Sequence, residues 1–288
     1  MAFAANRRNR PSIALAGAGS LATALGPALV GAGYRVMNVV VRDRPASLRK
    51  GRFLARRLGA QLCVLGESVT AELLWICVRD DGIASVADAL AASGSTANYA
   101  FHSSGALLSE ALSPLRAAGV RVASVHPLMT FAGSSRRDFR DVWFGVEGDD
   151  AAVRLARQII GDLKARMLRI NPDRKALYHA WAVFASPLLV AELAAGEEIA
   201  RSAGLRARAA REAILPLVDQ TIANYRRHGA ASAFTGPLQR GDVATVARHL
   251  EALRSMPDAQ GLYVALARIA LRRLPVKQRA KLSRLLGV

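Results

Sequence analysis

Apolar positions in the first 170 residues fall in short continuous runs, and helix-length stretches separate them. The runs predict strands at Ser12–Ala16, Arg35–Val41, Gln61–Leu65, Leu73–Val78, Tyr99–Phe101, Val120–Val125, Val142–Val146 and Met167–Ile170. Helices are predicted between them at Leu21–Gly31, Ala46–Leu58, Ile83–Ala92, Leu107–Ala118 and Ala151–Ala165. Strands that are apolar on both faces and alternate with helices indicate a parallel, doubly wound α/β sheet. After Asn171-Pro172 only helical periodicity remains, broken at Gly204, Gly229, Gly236-Pro237, Gly241, Pro257 and Pro275. Two domains are therefore expected, 1–170 as the sheet and 171–288 as an all-helical domain.

The first strand runs into Gly17-Ala18-Gly19-Ser20-Leu21-Ala22 and then into a helix. This is a G-x-G-x-x-A fingerprint in the strand–turn–helix setting of a Rossmann-like dinucleotide site. Gly17 permits the tight turn, Gly19 lets a pyrophosphate approach, and Ala22 packs helix on strand. The free N–H groups at the helix start, around Ser20 and Leu21, would face the phosphates. The second strand ends at Val41 and is followed by Arg42-Asp43-Arg44. Arg42 and Arg44 suit the 2′-phosphate of NADP, while Asp43 keeps NAD open.

Composition narrows the partners. A chain of 288 residues with 52% hydrophobic residues can bury a large core. Its net charge is +18, but 35 of its 40 basic residues are Arg, scattered along the chain. No basic stripe interleaves with aromatics, so nucleic acid is not the expected partner; the positive field favours small anionic substrates. Cys63 and Cys77 lie in apolar strands and read as core thiols, and no Cys/His cluster suggests a metal. Arg7, Arg8 and Arg10 precede an uncharged run from Pro11 to Tyr34. The run carries the fingerprint, several glycines and Pro27, so a cytoplasmic chain with a loose basic tail over its first ten residues is expected, without a membrane span.

Ligands of such sheets sit beyond the carboxyl ends of the strands. The fourth strand ends in Cys77-Val78-Arg79-Asp80-Asp81, placing Val78 and Asp80 beside the nicotinamide half of a cofactor; Asp80 or Asp81 also suits an N-cap for the next helix. The fifth leads to His102-Ser103-Ser104-Gly105 and the sixth to His126-Pro127. Histidines there can bind a carboxylate or move a proton, or simply bond their own loops. In the helical half, Lys175, His179 and Ser186 fall within roughly 40° of one another at 100° per residue. They form a polar line on an apolar helix, which Pro187 should kink or end. The turn Thr235–Asp242 offers Arg240 as a carboxylate clamp and Asp242 as an N-cap.

Together these segments resemble a family of bacterial proteins with a Rossmann-like domain and a DUF2520-type helical domain, within the 6-phosphogluconate dehydrogenase-like group. The matching stretches are GAGSLATAL at 17–25, DDGIASVADAL at 80–90, HSSGALLSEALSPLRAAGVRVASVHPLMTF at 102–131, YHAWAVFAS at 178–186 and TGPLQRGD at 235–242. The family typically has Asn at Pro187 and Pro at Arg79. The resemblance implies an NADP-dependent oxidoreductase, homodimeric through its helical domain, with a ketopantoate-like 2-oxo acid as the favoured substrate. A cyclic-imine reductase and a cofactor-binding regulator without catalysis, which Pro187 favours, are the alternatives. On this reading Lys175 or His179 polarises the carbonyl and supplies the proton. His126, Ser103 and Ser104 line the nicotinamide side, and Ser186 and Arg240 bind substrate.

Overall fold

The computed structural model describes residues 10–131 and 138–288. The tail at residues 1–9 lies outside this range. Arg10 does not behave as part of a loose tail: its guanidinium pairs with Asp162 at 3.2 Å and stacks on Tyr34.

The chain divides into two compact units, Met1–Val183 and Phe184–Val288. The first is a single sheet of eight strands with helices on its faces. Its elements run β1 (Ile13–Ala16), α1 (Ser20–Gly31), β2 (Val36–Val41), α2 (Pro45–Leu58), β3 (Gln61–Val64), β4 (Leu73–Ile76), α3 (Ile83–Ala92), β5 (Tyr99–His102), α4 (Ser113–Ala117), β6 (Arg121–Pro127), β7 (Trp143–Gly148), α5 (Asp150–Asp162), β8 (Arg166–Arg169) and α6 (Lys175–Ala185). Strand order is β3-β2-β1-β4-β5-β6-β7-β8. The reversal of order at β1/β4 is where a doubly wound sheet opens its ligand crevice.

Strands β1 and β4 are buried on both faces, which is why their sequences carry no polar alternation. Ile13, Leu15 and Trp75 pack into a cluster with α1, α2 and α5; Ala14, Leu74 and Ile76 face the cluster that includes α3. The expectation of an all-parallel sheet fails at one edge: β7 runs antiparallel to β6, pairing His126 with Gly145. Among the described residues between β6 and β7 there is no crossover helix of the kind a parallel connection uses. The α5 crossover then returns β8 parallel to β7. The helix read at Leu107–Ala118 is a 3-10 turn at Ser109–Leu112 followed by α4. Cys63 and Cys77 are buried free thiols.

The second unit is helical: α7 (Pro187–Ser202), α8 (Ala207–Ala233), α9 (Pro237–Arg240), α10 (Val243–Ala252), α11 (Pro257–Arg273) and α12 (Arg279–Leu286). Val246, Ala267, Leu271 and Leu282 form its core. Asp242 caps α10 by accepting from the Thr245 N–H at 3.0 Å. Gly229, at φ 73°, bends α8 near its end. Helices α7 and α8 bury almost nothing: Leu188, Val190, Leu217 and Tyr225 are exposed, and Ala210 alone is buried. The stretch Pro172–Ser202 is long and apolar enough to cross a membrane by length and composition.

Candidate active site

The crevice end is built by the fingerprint. Gly17 has φ 117°, and a Cβ there would lie 2.4 Å from the Cys77 carbonyl oxygen, so β1 can sit against the end of β4 only with glycine at this position. Gly19 caps α1, and a Cβ there would stand in open space, so the ground before the helix N-terminus is free for a phosphate. Ser20 and Leu21 open the helix, and Ala22 is fully buried beneath it.

A cavity of about 290 Å³ lies here, over the carboxyl ends of β1, β2 and β4. Gly17, Gly19, Val78 and Arg42 line it, and α2 adds Ser47 and Lys50, which sequence reasoning missed. With Arg79 it has three basic lining residues and no carboxylate. Arg44 is the exposed N-cap of α2, outside the lining. The donor set fits a phosphorylated dinucleotide: free helix amides for the pyrophosphate and two cations after β2 for a further phosphate.

Neither Asp80 nor Asp81 caps α3, whose start has no side-chain cap. Asp81 pairs with Arg79 at the surface, and Asp80 accepts the Ser104 hydroxyl at 2.8 Å. Ser104 is thereby occupied, since its Oγ also accepts from the N–H groups of Ala106 and Leu107. Ser103 Oγ accepts from the Trp75 indole at 2.9 Å. The loop after β5 is thus a rigid, internally bonded turn.

The two strand-end histidines differ. His102 is buried; its Nδ1 accepts from the Ser104 N–H, and its Nε2 lies 3.0 Å from the Leu108 carbonyl. Both nitrogens are spent on its own loop. His126 is half-buried; its Nδ1 shares a hydrogen bond of 2.9 Å with the Tyr178 hydroxyl. Its ring lies 6.1 Å from that of His179, and a Cβ on Gly105 would meet both rings within 2.8 Å. Glycine at 105 lets the two imidazoles converge. Burial, His179 and Lys175 hold His126 down to about 4; burial first and then Lys175 do the same for His102.

Lys175 is not free to reach a ligand. At 3% exposure its ammonium donates to Glu147 Oε1 at 2.8 Å, and Glu147 accepts as well from the N–H and hydroxyl of Ser109. Burial lowers the Lys175 pKa, and the Glu147 bond opposes that fall. Glu147 was missed; its only signal is a lone acid inside an apolar strand. Tyr178 was also missed as a site residue, although it stands in the YHAWAVFAS stretch. Helix α6 ends at Ala185, and Ser186 is the non-helical residue before Pro187, at φ −132° and ψ −84°. The line of Lys175, His179 and Ser186 on one helix face is therefore broken. Ser186 and Arg240 belong to the second unit, where Arg240 is exposed at the end of α9, and Gly241 beside it packs on the Lys277 carbonyl.

Two family models match the chain: a Rossmann-like domain over residues 3–127 and the domain of unknown function DUF2520 over 142–270. No curated protein matches. A candidate NADP oxidoreductase of Bacteroides fragilis shares 24% identity at TM-score 0.73, with 92% of this chain and 99% of that one covered. A Thermotoga maritima protein shares 23% at TM-score 0.73, covering 89% and 96%. An imine reductase of Myxococcus stipitatus, solved with NADP+, shares 16% at TM-score 0.64, covering 91% and 94%. At these identities the likeness is one of fold. The chain thus joins a Rossmann-like domain to a DUF2520 domain.

Proposed function

We propose that this chain is an NADP-dependent oxidoreductase that transfers hydride to a small anionic carbonyl compound. The observation that carries the reading is the crevice cavity, with its Gly17–Gly19 floor and its Arg42, Lys50 and Arg79 lining. An NAD site places an acid after the second strand; here cations line the cavity and Asp43 does not. NAD remains the second cofactor to test. Replacing Arg42 by Ala should weaken NADPH binding roughly 10- to 150-fold, since a hydrogen bond to a charged group contributes roughly 1.5–3 kcal/mol, and should leave NADH binding unchanged. Fluorescence titration of both cofactors checks this.

Bound there, the cofactor's nicotinamide supplies the hydride. The chain's own residues supply the rest. His179, half-exposed, is the group able to take a proton from solvent and pass it on. His126, neutral by its burial, is suited to donate a hydrogen bond to the substrate oxygen or nitrogen. Lys175 acts at one remove: pinned to Glu147, it adds positive charge to the field instead of a transferable proton. Ser103 and Ser104 shape the loop beside this group, and Ser186 and Arg240 are proposed substrate ligands by their chemistry. Exchanging His179 for Gln should cut kcat about 10²-fold with little change in NADPH affinity; unchanged turnover would remove His179 from the mechanism.

The favoured substrate is a 2-oxo acid of the ketopantoate kind. A cyclic imine is the second reading, favoured by the fold shared with an imine reductase solved with NADP+. The uncovered apolar faces of α7 and α8 support a homodimer formed through the helical unit. NADPH oxidation with a panel of 2-oxo acids and cyclic imines tests the whole reading. Turnover supports it, binding without turnover favours the regulator, and no binding of either cofactor overturns it.

A further inference from the structure

Strand β7 is antiparallel to β6 and sets Gly145 directly opposite His126. A side chain at 145 has no room, because even a Cβ would overlap the Tyr178 phenol. Tyr178, on α6 and 9% exposed, therefore sits in a notch cut by a missing side chain, next to the histidine that shares the register. Its hydroxyl lies 2.9 Å from His126 Nδ1, and the two rings meet edge-on at 90°. Among the described residues, no hydrogen bond engages His126 Nε2, and that atom faces Gly105 beside His179.

We propose that Tyr178 is a positioning residue that locks His126 in the tautomer protonated on Nε2, so that this N–H is the one presented at the convergence with His179. The tautomer of an imidazole is set by the bond its other nitrogen makes. A phenol O–H is a strong donor, and the one hydrogen bond that the Tyr178 hydroxyl makes among the described residues is with His126 Nδ1, so the O–H goes to that nitrogen. Tyr178 stays protonated, burial pushing it to about 12, while the groups facing His126 are His179, Lys175, Asp80 and His102. Burial first, and then His179 and Lys175, oppose a second proton on the ring, so the pair remains neutral phenol and neutral imidazole. The catalytic use of this N–H rests on the oxidoreductase reading; the tautomer itself does not.

The test is two-bond 1H–15N correlation of the histidine side chains in the full-length protein, with His126 assigned through His126→Gln. The expected spectrum shows protonated Nε2 and bare Nδ1 at pH 7, unchanged to pH 5.5. In Tyr178→Phe the His126 signals should move toward a mixture of tautomers. Gly145→Ala, which evicts the phenol from its notch, should reproduce that shift. A wild-type His126 protonated on Nδ1 overturns the proposal, as does a Tyr178→Phe spectrum identical to wild type. Should Tyr178→Phe fail to fold, the wild-type spectrum decides alone. Where turnover is found, Tyr178→Phe should lower kcat on the order of tenfold or more at unchanged NADPH affinity. A changed tautomer with unchanged kcat would remove the N–H from catalysis. A chain with no NADPH binding would sink the oxidoreductase reading and leave the spectroscopic result standing.

Discussion

Replacing Lys175 by Met should cost the first unit about 3–5 kcal/mol of stability, the range for removing one partner of a buried ion pair. Glu147 is 2% exposed and Lys175 3%, so water cannot take over the lost contact. The carboxylate would keep its bonds from the Ser109 N–H and hydroxyl but lose the ammonium that pairs with it. The cost comes mainly from the stranded anion, so a second substitution should recover much of it. Lys175→Met with Glu147→Leu should be clearly more stable than Lys175→Met alone, because two apolar side chains leave no buried charge. Urea denaturation of the four proteins in this cycle is the measurement, and a melting point lower by roughly 10 °C should accompany the single change. A loss below about 1 kcal/mol would show that the pair is wetter than its geometry implies. The same cycle guards against a misreading. Activity lost in Lys175→Met could reflect a displaced α6, which carries Tyr178 and His179, so it does not identify Lys175 as the proton donor.

All eight strands were legible because each is buried enough to exclude charge from its centre or is flanked by turn residues. Direction was not legible. Periodicity is the same for parallel and antiparallel strands, so the reversal of β7 could not be read from Val142–Val146. That reversal is what seats Tyr178 opposite His126, so the second half of the site was hidden with it. The histidine pair was legible only as positions. His102 and His126 both follow apolar runs, yet the loop geometry that satisfies His102 through Ser104 and Leu108 exists only in three dimensions. Glu147 was hidden for a related reason: a lone acid in a strand declares that it needs a partner, not which one. The polar line from Lys175 to Ser186 failed because it assumed an unbroken helix, although Pro187 marked the break. The cavity-lining cations were half legible. Arg42 follows β2 directly, whereas Lys50 reaches the cavity only through the position of α2 on the sheet.

The protein should lose stability as pH falls from about 6.5 to about 4. His102 and His126 each have an ordinary value of 6.5 and are held down to about 4 in the fold, by burial first. In the unfolded chain both imidazoles take a proton near 6.5. In the folded chain they refuse it until about 4. Between those limits the unfolded state binds more protons, so acid favours unfolding; above 6.5 both states are neutral and the slope disappears. Each histidine can contribute roughly 3 kcal/mol across the window, at 1.36 kcal/mol per pKa unit. Their sum is not additive, because protonating one raises the cost of protonating the other. Urea midpoints at pH 7.5, 6.5, 5.5 and 4.5 give the curve, with the lowest point kept above most carboxylate titrations. His102→Asn should flatten it, since an amide can keep one bond in the loop without gaining charge. His126→Gln should flatten it separately, while the Tyr178 phenol keeps a polar partner. A midpoint independent of pH across the window would mean that both rings accept protons in the folded state, and would remove the neutral imidazole on which the proposed role of His126 depends.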